Sequence, residues 1–288
     1  MDCLIFGGYG YLGSRIFDHL TNEKWDVSIG TNNKTKLKIN KLDTIYNYRN
    51  LPYKDLKVLI KKYDLIIDCS GISGPKTSLS SIPDIIKINT LWPCQLAEIC
   101  VETNTRLVWF STIHCEKLNI KNQIFLRENI YALSKYIVEK AIMEINGWEN
   151  IVTIIRLGNM IGSPGLFYLG DSNLFGLDIS KNLFLTGKAT IKGNPNKGIA
   201  FIPISKLLRS NLLSLPGFYV LNSDKKFSLY SIAQSILKSY EAITNKRGEI
   251  DFQQTYSTYD YSSISKELKS EIDLMINFFK LKFDSFNN

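Results

Sequence analysis

A doubly wound, parallel α/β sheet followed by a smaller C-terminal lobe is the fold this sequence predicts, on three observations. An apolar run, Leu4-Ile-Phe6, breaks into glycines at Gly7, Gly10 and Gly13, after which a helical pattern begins with Ile16, Phe17 and Leu20. Apolar runs of strand length then alternate with helical stretches as far as Leu157. The runs within Asp64 to Gly71 and Ile151 to Leu157 are apolar on both faces, as in a sheet covered by helices on each side.

The first of these organises the rest. Strand, tight turn and helix place glycine where positive φ, close approach to a pyrophosphate and helix–strand contact are all needed. The free N–H groups and positive end of the helix then face phosphates, so a dinucleotide site is expected here.

Composition narrows the alternatives. The chain of 288 residues has 44% hydrophobic and 22% charged residues, ordinary values for a globular protein. No apolar run approaches the ~20 residues of a membrane span, and Met1 leads straight into the first strand, so a cytoplasmic protein without a signal peptide is expected. Cys3, Cys69, Cys94, Cys100 and Cys115 are odd in number and form no CxxC pair, which suggests reduced thiols and neither a zinc site nor a disulfide framework. The net charge of +8 is spread along the chain. That favours attraction of an anionic small molecule over a nucleic-acid stripe.

In order, a second strand is expected over Trp25 to Gly30, ending in Thr31-Asn32-Asn33-Lys34. The acidic residue that holds a ribose 2′-hydroxyl in NAD sites is missing there. Amides, Lys34 and Arg15 across the turn suit a 2′-phosphate, so NADP is the expected cofactor, with NAD the alternative. A short third strand is expected around Leu42 to Tyr46, then a helix over Tyr53 to Tyr63 and the buried strand of Asp64 to Gly71. Ser70 and Gly71 leave room for a cofactor, and a polar loop runs on to Pro83. Pro83 to Glu102 has helical periodicity, with a kink or a late start at Pro93. Leu107 to Phe110 is the next strand, with Ser111-Thr112 at its carboxyl end. A helix over Asn129 to Ile145 and the strand Ile151 to Leu157 follow. From Ser163 onward glycines at 165, 170, 176, 187, 193 and 198 interrupt the pattern. Residues 1–162 are therefore expected to form the cofactor domain, with strand returns at about 198–222, including Gly217 to Leu221, and 163–288 to form mostly the substrate lobe. Helices are expected over Phe227 to Tyr240 and Ser262 to Phe279, with a loop over Thr244 to Tyr261.

Tyr131 and Lys135 stand four apart, on one face of a helix. A phenol ionises near pH ~10, and a neighbouring ammonium favours the phenolate, which lets it exchange protons with a substrate oxygen. A hydroxyl from Ser111-Thr112 can donate to that same oxygen.

With these residues on the page, the sequence resembles the extended short-chain dehydrogenase/reductase family of NAD-dependent epimerases and dehydratases. The motifs run in order: Gly7-x-x-Gly10-x-x-Gly13, Asp64 to Gly71, Asn89-Thr90, Phe110-Ser-Thr112, Tyr131-x-x-Ser-Lys135, and Arg156-Leu-Gly-Asn159 through Gly162. Lys188 to Leu212, with Gly193 and Phe201-Ile-Pro-Ile, is similar to the family's substrate-lobe segment. The resemblance implies a Rossmann-type domain, a bound NAD(P) and a lobe that grips a nucleotide-activated sugar. It makes Tyr131 the acid/base, has Lys135 hold the nicotinamide ribose and lower the phenol's pKa, and has Thr112 orient the reacting oxygen, with Ser111 in reserve. Cofactor contacts are expected from Gly7, Gly10, Tyr11, Leu12, Gly13, Arg15, Thr31, Asn32, Ser70, Gly71, Asn89, Lys135 and Asn159. Substrate contacts are expected from Ser111, Tyr131, Asn159 and Lys197. Asn89 is either part of the active site or a helix residue bonded to backbone.

Three departures from the family pattern stand out: the absent second-strand acid, Ile113-His114 after Thr112, and no arginine near Lys197-Gly-Ile-Ala-Phe201. His114 has both a substrate-contact and a structural reading. Lys192 and Lys197 supply charge without the bidentate fork. The compact length and Glu128-Asn-Ile-Tyr131 are similar to the 4-keto-sugar reductase branch. The expected function is NADP-dependent reduction of a keto group on a nucleotide-activated deoxysugar for polysaccharide synthesis. Epimerisation and a non-catalytic NADP-binding regulator are the alternatives. A homodimer through Pro83 to Glu102 and Asn129 to Ile145 is expected by the same resemblance.

Overall fold

The computed structural model describes residues 1–32, 44–72, 80–118, 130–170, 174–253 and 262–287. In chain order its elements begin with β1 (Asp2–Phe6), α1 (Tyr11–Asn22), β2 (Asp26–Thr31), β3 (Thr44–Tyr46), α2 (Tyr53–Ile60) and β4 (Leu65–Asp68). Next come α3 (Ile82–Ile86), α4 (Trp92–Thr103), β5 (Arg106–Thr112), α5 (Ile130–Met143), α6 (Trp148–Ile151), β6 (Val152–Leu157) and β7 (Asn159–Ile161). The chain ends with α7 (Phe175–Thr186), β8 (Lys188–Ile191), β9 (Gly198–Pro203), α8 (Ile204–Leu208), β10 (Gly217–Leu221), β11 (Lys226–Ser228), α9 (Leu229–Thr244), β12 (Glu249–Phe252) and α10 (Lys266–Asn287). No described helix is long and apolar enough to cross a membrane.

Two compact units result. The first comprises Met1–Leu157, Gly165–Gly170 and Ser210–Leu221. Its seven-stranded sheet has the order β10-β6-β5-β4-β1-β2-β3, and every neighbouring pair is parallel. Strand order reverses between β1 and β4, and in such sheets ligands bind off the carboxyl edge at that point. Leu4, Ile5, Phe6, Ile66 and Ile67 are fully buried, which is why these strands read as unbroken apolar runs. The strand expected at Gly217 to Leu221 is β10, on one edge of this sheet.

Helical periodicity over Pro83 to Glu102 belongs to a rod of three pieces. A π turn, Lys87–Leu91, joins α3 to α4, and Trp92 N–H reaches back to the Lys87 carbonyl. Pro93 then sits in the first turn of α4, where its missing N–H costs little. The kink is thus a wider turn placed just before the proline.

Local crowding shows what the glycines do. A Cβ on Gly13 would lie 2.5 Å from the Gly7 carbonyl oxygen, and one on Gly30 would lie 2.4 Å from the Phe6 ring. Phe6 uses that space to pack against Tyr48 and Trp92, with ring centroids 4.3 and 5.2 Å away. Residues 165–170 return to the same region: Gly165 N–H donates to the Ser14 hydroxyl at 3.0 Å, and Leu166 N–H donates to Asp18 at 2.8 Å.

The second unit comprises Gly158–Pro164, Asp171–Arg209 and Asn222–Asn288. It has a three-stranded sheet, β11-β9-β7, and a two-stranded sheet, β12-β8. Helices α7, α9 and α10 meet around Phe184, whose ring lies 5.1 Å from Tyr240 and 5.6 Å from Phe283. Several expectations are corrected here. The strand return expected near residue 198 is β9, which pairs with β7 and β11 and not with the large sheet. The stretch taken as irregular contains α7, where Gly176 gives close packing, its absent Cβ 3.3–3.4 Å from Ile161 and Met275. The loop expected over Thr244 to Tyr261 contains β12, which exists through parallel pairing with distant β8. Helix α9 starts at Leu229 because the Ser228 hydroxyl caps Ser231 N–H at 3.1 Å.

A test of the glycine turn follows. Gly13→Ala should lose about 1–3 kcal/mol of stability through backbone overpacking, read as a lower urea midpoint. An unchanged midpoint would mean the turn has slack.

Candidate active site

The carboxyl edge of the large sheet collects most of the predicted residues. Gly7 has φ of 77°, and Gly10 N–H closes the turn on the Gly7 carbonyl at 2.9 Å. Gly10 caps α1 without a side-chain hydrogen bond, so no side-chain cap occupies the positive end of this helix, where an anion is favoured. At the end of β2, Thr31 is buried and its carbonyl accepts Asn47 N–H, while Asn32 Oδ1 accepts Arg49 N–H at 3.3 Å. Asn32 Nδ2 and Arg15 Nε are buried and have no hydrogen-bond partner among the described residues. Asn33 and Lys34 lie outside those residues, as do Glu128 and Asn129.

At the end of β4, Ser70 donates to Asp68 and Gly71 adopts φ of 153°. Asn89, on the π turn, is buried. Its Oδ1 accepts Ile72 N–H at 2.7 Å and its Nδ2 donates to the Ile72 carbonyl at 2.9 Å. Of its two readings, the structure favours the backbone-bonded one: Asn89 fixes the chain just after Gly71.

Tyr131 and Lys135 both lie on α5, and the Thr112 side chain stands near enough to the Tyr131 phenol to influence its ionisation. Burial pushes the phenol up to about 12, Cys115 adds to the rise and the Thr112 side chain opposes it. This corrects the expectation that Lys135 lowers it. The Lys135 ammonium instead donates to the Phe110 carbonyl at 2.9 Å and sits 4.7 Å over the Trp109 ring. Burial holds its own pKa below the usual lysine value. Tyr131 is accordingly a protonated donor at neutral pH.

Ser111 is separated from this group. Strand residues alternate faces, so when Thr112 meets Tyr131, Ser111 meets Glu139. Its hydroxyl donates to Glu139, whose carboxylate takes a two-pronged ion pair from Arg156 at 2.8 and 2.6 Å. Glu139 is fully buried, and the pair raises the Arg156 pKa. The reserve position given to Ser111 is corrected to a structural one on these contacts. Sequence reasoning also missed Glu139, Arg49 and Asp68. Glu139 lies one turn beyond Lys135, and a carboxylate there opposite the Arg156 motif was the available signal.

Asn159 and Lys197 belong to the second unit. Asn159 donates to the Ala200 carbonyl at 3.2 Å, and Lys197 is exposed in the turn before β9. His114 is exposed, and its N–H donates to Thr112 Oγ1 at 3.3 Å.

Residues 3–173 match the model of the NAD dependent epimerase/dehydratase family. No curated protein matches the chain in sequence. Among solved structures it is similar to the UDP-glucose 4-epimerase of Thermotoga maritima with UDP-glucose, with a TM-score of 0.71 and 14% identity over 98% of this chain and 99% of that one. It is similar to the UDP-N-acetylglucosamine 4-epimerase of Bacillus cereus, with a TM-score of 0.71 and 16% identity over 97% and 96% of the two chains. The UDP-glucose 4-epimerase of Thermus thermophilus in complex with NAD gives 0.70 and 16% over 97% and 99%. At these identities the similarity shows a shared fold.

The Ser111–Glu139–Arg156 contacts generate their own test. Glu139→Ala should cost about 3–5 kcal/mol by leaving Arg156 unpaired, measured by chemical denaturation. Ser111→Ala should cost less, about 1–3 kcal/mol, and leave cofactor affinity unchanged.

Proposed function

The chain belongs to the NAD dependent epimerase/dehydratase family, enzymes of the extended short-chain dehydrogenase/reductase type that use a nicotinamide cofactor, and on that premise we propose that it reduces a keto group on a nucleotide-activated deoxysugar with NADPH. The observation that carries this reading is the Tyr131 phenol beside the Thr112 side chain, on the helix that also carries Lys135. Two hydroxyls meeting at a strand end can bind one carbonyl oxygen.

The residues present fit a dinucleotide. The crowded glycine turn leaves the start of α1 to a pyrophosphate, with Gly7, Gly10, Tyr11, Leu12 and Gly13 around it. Thr31, Asn32 and Arg15 would hold the adenosine end, Ser70 and Gly71 the middle, and Lys135 the nicotinamide ribose. The two buried donors without partners among the described residues, Asn32 Nδ2 and Arg15 Nε, support a 2′-phosphate and hence NADP. When bound, the nicotinamide supplies hydride chemistry at a carbonyl carbon.

Tyr131 donates the proton from Oη to the substrate oxygen. Its raised pKa suits that direction, because it holds the proton until the oxygen becomes basic. Thr112 binds the same oxygen and orients it. Lys135, anchored to the Phe110 carbonyl one helical turn from Tyr131, would hold the nicotinamide ribose. Asn159 and Lys197, both in the second unit, are kept as substrate contacts on the family resemblance alone.

A cytoplasmic homodimer that supplies precursors for polysaccharides is part of the proposal. Ile82, Ile86 and Leu91 along the α3–α4 rod and Ile137 on α5 are exposed apolar residues that support dimerisation there. The 4-epimerases among the structural neighbours support a second reading, in which the same groups oxidise and re-reduce one sugar carbon on retained NAD(P).

Incubation with a panel of UDP- and dTDP-linked sugars and keto-sugars separates the two. Stoichiometric NADPH consumption is expected for reduction, while product formed with none consumed would establish epimerisation. Tyr131→Phe should lower turnover about 10²- to 10⁴-fold while NADPH fluorescence still reports binding. Unchanged turnover would remove Tyr131 from the chemistry.

A further inference from the structure

Asp68 ends β4 with a side chain that the reaction above does not use. It is 2% exposed, a rare condition for a carboxylate. Its Oδ1 accepts the N–H of Ser70 at 3.0 Å and the Ser70 hydroxyl at 2.5 Å. Its Oδ2 is buried and has no hydrogen-bond partner among the described residues. A carboxylate left in that state is costly unless opposite charge stands close by.

Two cations, Arg49 and Lys135, act on it without forming an ion pair with it among the described residues. In the register of the sheet Asp68 lies directly opposite Trp109, and the Trp109 ring carries the Lys135 ammonium at 4.7 Å. A Cβ on Gly71, three residues beyond Asp68, would also lie 3.9 Å from Lys135 Nζ. The Arg49 guanidinium lies 5.2 Å over Tyr48 and 5.9 Å over Trp92. We propose that Asp68 is the counter-ion that keeps Lys135 charged in its buried niche, a positioning residue that acts on the Tyr131 site through Lys135 and touches neither substrate nor the reacting atoms. This deepens the reading of Tyr131 and Lys135 above and rests on it for its functional meaning.

The electrostatics agree with the placement. Burial is the largest influence on Lys135 and lowers its pKa, and Asp68 is the foremost group acting in the other direction, ahead of Cys115, Cys69 and Glu139. Glu139 is already paired with Arg156. Asp68 is raised by burial and pulled back by Ser70, Arg49 and Lys135. The other titratable groups that face it, Tyr48, Cys69 and Cys100, are all pushed up and stay neutral near pH 7. Arg49 and Lys135 are therefore the charges among the described residues that Asp68 answers.

The signs of two substitutions follow and are opposite. Asp68→Asn removes the attraction, so Lys135 should lose its proton at lower pH. Arg49→Met leaves the whole Asp68 charge to Lys135, so its proton should be held to higher pH. The measurement is a pH titration of protein labelled with [13Cε]lysine, in which the Lys135 resonance is identified by its loss in Lys135→Arg. Asp68→Asn should shift the midpoint down by at least one unit, roughly a tenfold loss of proton affinity, and Asp68→Glu should restore it. A midpoint in Asp68→Asn within a few tenths of the wild type would overturn the proposal. If Asp68→Asn fails to fold, Arg49→Met decides: an upward shift supports the proposal, and an unchanged or lower midpoint overturns it. The functional reading fails separately, if the wild-type protein binds neither NADPH nor NADH.

Discussion

One buried hydrogen bond, from the Lys135 ammonium to the Phe110 carbonyl, ties α5 to the end of β5, and the arrangement of the candidate site depends on it. A hydrogen bond from a charged donor contributes about 1.5–3 kcal/mol, and it must also offset the desolvation of a lysine that is 7% exposed. With Lys135 anchored there, the helical repeat places Tyr131 one turn earlier, where its phenol meets Thr112. The alternation of β5 then divides two adjacent hydroxyls. Thr112 goes to the phenol, and Ser111 goes to the Glu139–Arg156 pair that braces α5 against β6.

A second constraint, crowding, shapes the other end of the same sheet edge. Gly13 and Gly30 are places where a single methyl would meet backbone or a packed ring, at 2.5 and 2.4 Å. Their absence of side chains lets α1 close on the turn and lets Phe6, Tyr48 and Trp92 fill the region between β1 and α4. The Arg49 guanidinium is held over two of those rings, and its backbone N–H donates to Asn32 just past the end of β2. The dinucleotide reading and its NADP refinement both draw on this edge.

How much of this was legible in the sequence depended on whether the signal was local. The strand, glycine turn and helix at the start, and the Tyr131–Lys135 spacing, are set by residues close in sequence, and the fold and family followed from them. Strand alternation already implied that Ser111 and Thr112 would part, yet which one would face the phenol required Glu139 and Arg156 in place. Helix α7 was hidden because Gly176 read as a loop, although it serves helix packing against Ile161 and Met275. Strand β12 was hidden because its pairing with β8 spans some sixty residues and neither is strongly apolar. Asp68 escaped notice since a carboxylate ending an apolar strand looks like the start of a polar loop until its burial is known.

The central claim is that the phenol of Tyr131 and the hydroxyl of Thr112 converge on one oxygen above a nicotinamide ring. A crystal structure of the protein with NADPH tests it most directly. The account predicts the pyrophosphate at the Gly7–Gly13 turn and the nicotinamide ring beside Lys135, with its reactive carbon facing the gap shared by Tyr131 and Thr112. A nicotinamide ring bound on the other side of the sheet edge, or a cofactor seated away from the glycine turn, would contradict it.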